Sequence, residues 1–366
     1  MEKKHRLPGA CSAGCSAVAW ETADGRHLFG RNFDYNRVAA DSKVTCFPPG
    51  TELCTRGTSL DGSQDPAARR RADYGAVGMG TTVLGATPVL YEGLNERGLM
   101  GAQLYYRGYA RYPDRPAGGR LPLQPPFLVT LCLACCATVE EAARLLTEEV
   151  SLVGEPLLGA VPPLHWMFSD RTGDSLVVEP DGDGLHLYRN TVGVMTNSPP
   201  YPWHRANLLN YAHLRPLDYG ARDWGGERLE PCFSGTGAAG LPGGWSSPAR
   251  FVRLAFLRQC AGKGRDEAEG VALLFRLLHS AAFPLGAVEL TDPGEDTGYD
   301  REAVPYDYTV YSSVQCAESG RFYWLTYRST CPRFVELPRL LKRSRVLQLP
   351  LETAPEFRDV TEYAES

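Results

Sequence analysis

The chain has 366 residues, a formal net charge of −5 and 43% apolar residues. That apolar content is ordinary for a globular protein. The lack of a basic cluster argues against a nucleic-acid partner, and no apolar run reaches the ~18 residues of a helical membrane span.

Residues Met1 to Ala10 begin basic but lack the apolar region of a signal peptide. Residues 1–14 read as a detachable leader, 15–340 as one large domain and 341–366 as a tail. From Cys15 to Phe33 the chain reads as two strands, with Ala23-Asp24-Gly25 as the hairpin turn. Gly57 to Tyr74 is polar and basic and reads as a loop. Strand patterns follow over Val83–Tyr91 and Gly98–Tyr106.

Two helices are expected after the Pro-rich stretch Tyr112–Pro126. Thr138 suits the N-cap of the second, and Glu140 and Glu141 suit its positive end. Strands return over His165–Phe168, Ser175–Glu179, His186–Tyr188 and Val192–Met195. Tyr201–Gly240 is aromatic and irregular. Pro248–Cys260 and Asp266–His279 read as helices, with Pro248 placed near a helix start. Alternation resumes from Tyr308 to Tyr327.

Eleven cysteines are present. Cys132, Cys135 and Cys136 lie in an apolar run with no second pair and no nearby His, so they read as buried thiols. A reducing cytoplasm suits this usage better than an oxidising exterior. His165, His204 and His213 do not share a metal-ligand spacing on one element.

Cys15 precedes Arg31 by sixteen residues, and Asp34 follows three later. A nearby cation favours a thiolate, so this spacing fits a reactive thiol with charged partners. Each residue also has an ordinary reading: a buried Cys, an exposed Arg, a turn Asp. Asn197 after a strand fits a turn, Tyr105 a cross-strand aromatic, and Arg250 a helix-end charge.

Four segments in register lift these residues above the ordinary reading. They are Gly14-Cys15-Ser16 with Arg31-Asn32-Phe33-Asp34, Gly93-Leu94-Asn95-Glu96-Arg97-Gly98-Leu99, Gly193-Val194-Met195-Thr196-Asn197-Ser198, and Trp245-Ser246-Ser247-Pro248-Ala249-Arg250. Together they resemble the penicillin V acylase and bile salt hydrolase family, the choloylglycine hydrolases, from about Cys15 to Arg328. The resemblance implies an α+β fold, the four-layer αββα sandwich of N-terminal-nucleophile (Ntn) hydrolases. It also implies cleavage of linear, non-peptide amides through a thioester, with no cofactor or metal.

The resemblance makes Cys15 the nucleophile and its own α-amine the base. It places Arg31 beside the thiol, Asp34 on the amine, Asn197 as oxyanion donor, Arg250 as a second cation and Tyr105 as a further catalytic residue. Fourteen residues precede Cys15, so their removal, by self-cleavage, is expected. Cys11 is also followed by Ser, but that register loses the match to Arg31. Phe33, Tyr35, Tyr105 and Trp203 are candidate walls for a small-molecule amide substrate. Tyr105 and the run Asn197–His204 favour the penicillin V acylase branch. Conjugated bile salts, N-acyl amino acids and acyl homoserine lactones are the alternatives, and a non-hydrolytic acyl-transfer relative is a further one. By the same resemblance, Tyr201–Trp224 is the segment through which a homotetramer is expected to form.

Overall fold

The computed structural model describes residues 14–37, 42–57, 65, 68–83, 87–157, 159–291, 303–351 and 354–363. The expected leader lies outside these residues except for Gly14, as does much of the expected loop before Tyr74.

Two antiparallel sheets lie face to face. Their strands are β1 (Cys15–Glu21), β2 (His27–Tyr35), β3 (Lys43–Phe47), β4 (Ala76–Val83), β5 (Thr87–Asn95), β6 (Met100–Tyr105), β7 (Leu164–Ser169), β8 (Ser175–Asp181), β9 (Gly184–Arg189), β10 (Val194–Met195), β11 (Tyr306–Cys316), β12 (Arg321–Thr326), β13 (Arg333–Glu336) and β14 (Leu347–Pro350). The first sheet runs β10-β1-β2-β11-β12-β13, with the short strand Val288–Glu289 beside the start of β11. The second runs β9-β8-β7-β6-β5-β4-β3-β14.

Helices cover the outer faces. Those used below are α1 (Leu128–Cys135), α2 (Val139–Arg144), α3 (Tyr201–Asn207), α4 (Ser247–Cys260) and α5 (Glu267–Ser280). α1 and α2 pack on the second sheet, and α4 and α5 on the first. The result is the four-layer αββα arrangement. Thr138 caps α2 by accepting the Glu141 N–H, and Asp266 caps α5 by accepting that of Glu269.

A strand between two covering layers has no wet face. That is why β1 is buried at every position except Glu21. Gly30 of β2 lets α5 come close: a Cβ there would meet the Leu274 side chain at 2.9 Å. One apolar cluster fills the space between the sheets and under α4 and α5, and a second lies under α1 and α2. Cys132 and Cys136 are buried in the second, and no described cysteine is in a disulfide.

Several stretches differ from the sequence reading: Leu347–Pro350, in the expected tail, pairs as β14 with β3, and Tyr201–Asn207, in the stretch read as irregular, is the helix α3. Arg69–Arg71, inside the expected loop, pairs as a strand with Glu52–Cys54. All three arginines are exposed, so no apolar alternation marks this strand. The section after α3 carries an exposed hairpin, Arg222–Trp224 with Glu227–Leu229. Among the described residues no helix is long and apolar enough to cross a membrane.

Candidate active site

Cys15 is the first residue of β1 and pairs with Phe33 of β2. Alternate residues of a strand point to opposite faces, and this pleat divides the site in two. Cys15 and Arg31 point into the space between the sheets. Ser16 and Asp34 point toward the helix layer.

Between the sheets, Arg31 Nη2 donates to Cys15 Sγ at 3.4 Å. Arg31 Nη1 donates to the Glu92 carboxylate of β5 as a buried ion pair. Glu92 also accepts from Tyr311 Oη at 3.0 Å and Ser313 Oγ at 3.2 Å, both on β11. Phe33 stacks on Tyr311 with ring centres 5.0 Å apart and on Tyr91 at 5.8 Å. Tyr35 meets Phe33 edge-on at 6.0 Å and Tyr105 at 6.5 Å.

On the helix side, Arg250 at the start of α4 reaches back to β1. Its Nη1 donates to the Cys15 carbonyl at 2.5 Å and to Ser16 Oγ at 2.7 Å. Its Nη2 donates to Asn197 Oδ1 at 2.7 Å. That oxygen also accepts the backbone N–H of Cys15 at 2.9 Å. Asn197 Nδ2 donates to the carbonyl of Tyr105 at 2.8 Å, so Tyr105 meets Asn197 through its main chain.

Asp34 is fully buried and accepts from Thr309 Oγ1 through Oδ1. Its Oδ2 has no hydrogen-bond partner among the described residues. Burial pushes its carboxyl up to about 7; the Arg250 charge and the Thr309 bond pull it down, while Asp307 pushes it up. Burial also raises the Cys15 thiol, against the Arg31 charge.

Asn197 follows β10, and its main chain is clamped. Its N–H donates to Ser247 Oγ at 2.9 Å, and its carbonyl accepts from Ser247 Oγ at 2.8 Å and His204 Nε2 at 2.9 Å. Burial pushes His204 down to about 4, so it is neutral at neutral pH. His165 Nε2 donates to the preceding carbonyl, of Thr196, at 2.9 Å.

A cavity of about 530 Å³ opens at this point, lined by Gly14, Tyr105, Asn197, Trp245, Arg250 and Phe283 among others. Of the expected substrate walls Tyr105 is in that lining, and Phe33, Tyr35 and Trp203 lie outside it. Glu92 and Phe283 join the site without having been named in the sequence reading, and Ser247 and His204, named there, take a role at Asn197 that it did not give them. Glu92 alone left a signal there: a carboxylate in an otherwise apolar strand. Asp181, Asp183 and His186 bring possible metal-ligand atoms within 4.8 Å of one another, but Asp181 and Asp183 line a separate cavity of about 610 Å³.

A four-layer αββα fold with a cysteine opening an inner strand, beside arginine, aspartate and asparagine, defines an amidohydrolase of the Ntn type. Residues 15–339 match the family model for linear amide C–N hydrolases of the choloylglycine hydrolase family. The chain belongs to that family and is a hydrolase of linear amides. It is 32% identical, over 86% of its length and 90% of the relative's, to a bile salt hydrolase/transferase of Clostridium perfringens. It is also 32% identical to a conjugated bile acid hydrolase of Lactobacillus acidophilus, over 84% of its length and 91% of the relative's. A solved conjugated bile acid hydrolase from Clostridium perfringens superposes with a TM-score of 0.81 at 28% identity, covering 95% of this chain and all of the other. Penicillin V acylase from Agrobacterium tumefaciens shares the fold, with a TM-score of 0.71 at 20% identity over 93% of this chain and 92% of that one.

Proposed function

We propose that this protein hydrolyses the amide of conjugated bile acids, with Cys15 as nucleophile. The observation that carries the reading is the convergence of Arg31 on Sγ and of Asn197 on the main-chain nitrogen of the same Cys15. The similar curated relatives are named for bile salts, so the order of the two substrate classes given by the sequence is reversed. Penicillin V is the second reading, on one observation: the aromatic cluster of Phe33, Tyr35, Tyr91 and Tyr105 suits an aryl acyl group.

In this reading Gly14 and the residues before it are removed, and the Cys15 nitrogen becomes an amine. A free α-amine titrates near 7.7–8.0, so it can serve as base and acid at neutral pH. The thiol attacks the amide carbonyl, and the amine takes the thiol proton and passes it to the departing nitrogen. Asn197 and the cationic Arg250 stabilise the developing oxyanion. Water then cleaves the thioester. In this reading Asp34, whose Oδ2 has no hydrogen-bond partner among the described residues, steadies the amine once it has taken the proton.

Several relatives are named hydrolase/transferase, which supports interception of the same thioester by an added amine. The exposed Leu217, Trp224 and Phe233 in the section after α3 suit contact between copies, in line with a homotetramer. Buried, unpaired cysteines suit a cytoplasmic location. The test is amine release from glycocholate and penicillin V in parallel. Preference for glycocholate, abolished by Cys15→Ala, is expected. Preference for penicillin V would overturn the substrate assignment.

A further inference from the structure

The Glu92 carboxylate is completely buried and its three described partners are Arg31, Tyr311 and Ser313. It comes from the opposite sheet, on a strand that contributes no other group to the reacting atoms. A buried carboxylate without a compensating charge is costly, and removing one partner of such a pair is more costly still. Among the described residues its partner Arg31 is the guanidinium that donates to Cys15 Sγ. Arg31 therefore stands between two acceptors, a full negative charge on one side and a sulfur on the other.

We propose that Glu92 neutralises Arg31, so that Cys15 meets its substrate as a thiol, hydrogen-bonded but not ionised, with its proton still available to the leaving amine. Glu92 is thus a positioning residue acting through Arg31. The charge that the sequence spacing assigns to thiolate stabilisation is spent on the carboxylate, and Arg31 remains beside the sulfur as a hydrogen-bond donor.

The charged and titratable groups around Cys15 come from both sheets and from one helix. Arg31 and Asp34 face it from β2, Glu92 from β5, Tyr311 from β11 and Arg250 from α4. Burial opposes ionisation of the thiol most strongly and the Asp34 carboxylate adds to it; the Arg31 charge and hydrogen bond and the Asp34 main chain favour it, and the net direction is up. Burial works against the Arg31 charge, and the Glu92 carboxylate holds the guanidinium firmly protonated. Arg250 is directed at the carbonyl of Cys15, Ser16 and Asn197.

The proton then has one route. As the S–C bond forms, the thiol proton moves to the Cys15 amine. As the C–N bond breaks, it moves on to the departing nitrogen. Nothing is oxidised or reduced, and the proton that leaves with the amine is the one Cys15 brought. An enzyme resting as a thiolate would already hold that proton on the amine or have released it to solvent.

The inference rests on Cys15 as nucleophile, and its test needs no substrate. The rate of Cys15 alkylation by iodoacetamide is followed against pH, with the Cys15 peptide read by mass spectrometry. In the native enzyme the midpoint is expected at or above the free-thiol value of about 8.5. Glu92→Gln keeps the shape and releases the Arg31 charge, so its midpoint is expected to fall by about 1 unit or more. Its kcat is expected to drop with KM held. A native midpoint below about 7, or an unchanged midpoint in Glu92→Gln, would overturn the proposal. If that variant does not fold, the native profile alone decides. These profiles with no hydrolysis of glycocholate would defeat the substrate assignment and leave this inference standing.

Discussion

Ser247 grips both ends of one residue: its hydroxyl accepts the Asn197 N–H at 2.9 Å and donates to the Asn197 carbonyl at 2.8 Å. Ser247 is also the first residue of α4, and Arg250 sits three residues on. The same turn of helix therefore fixes the asparagine and supplies the cation that shares its Oδ1. Ser247→Ala removes both bonds and leaves the buried main chain of Asn197 short of a partner, a loss of about 1–3 kcal/mol. A roughly 10- to 100-fold fall in kcat with little change in KM is expected from steady-state kinetics. Asn197→Ala is expected to lose roughly 100- to 1000-fold. Equal changes in kcat and KM for Ser247→Ala would mean that Asn197 is placed by other contacts.

Under the proposed mechanism, removal of the leader is expected to depend on the size of residue 14. A Cβ on Gly14 would lie 2.7 Å from the Phe283 ring, which also stacks on Arg250 at 5.1 Å. Gly14→Val is expected to slow the appearance of the Cys15 amino terminus, as read by intact mass. Phe283→Ala in the same chain should restore it. Normal processing of Gly14→Val alone would show that the ring yields.

Asp34 makes a signed prediction about stability. Its folded carboxyl lies near about 7, above its free value of about 3.9. Between those values the folded chain binds more protons than the unfolded one. This contribution to stability is therefore full below about pH 4 and is lost as pH rises through about 7. The leader-bearing Cys15→Ala protein isolates the effect, since it has no new amine to hold the carboxylate. Its denaturant midpoint should fall across this range more steeply than that of Cys15→Ala/Asp34→Asn. Parallel curves would mean that the buried carboxyl is ionised throughout.

The hairpin after α3 presents Trp224 at 71% exposure. Large exposed apolar groups grouped on one segment mark an interaction surface. Trp224→Asp is expected to lower the mass measured by light scattering while leaving the far-ultraviolet spectrum unchanged. A native protein that is already monomeric would remove the basis for a tetramer.

Much of this architecture is legible in the chain because local chemistry dictates it. The Asp24-Gly25 turn, the Thr138 cap and Pro248 near the start of α4 each satisfy a local requirement, and each lies where the pattern places it. The fold class followed from the family likeness of the segments around Cys15, Asn197 and Arg250. What stayed hidden depends on distance. Glu92 meets Arg31 across 61 residues and Phe283 meets Gly14 across the whole domain. Ser247 and His204 act through the main chain of Asn197, and a main-chain contact leaves no mark on residue type. The exposed arginine strand Arg69–Arg71 has no apolar face to announce it.

The pleat at Cys15 gives its sulfur to one layer and its nitrogen to another. Sγ is served from the sheet-to-sheet seam, through Arg31 and Glu92. The nitrogen and carbonyl are served from the other side, through Asn197 and Arg250. Loosening either seam leaves half a nucleophile. Turnover is therefore an all-or-none gauge of assembly: a chain with one sheet formed, or with α4 undocked, retains secondary structure yet stays silent.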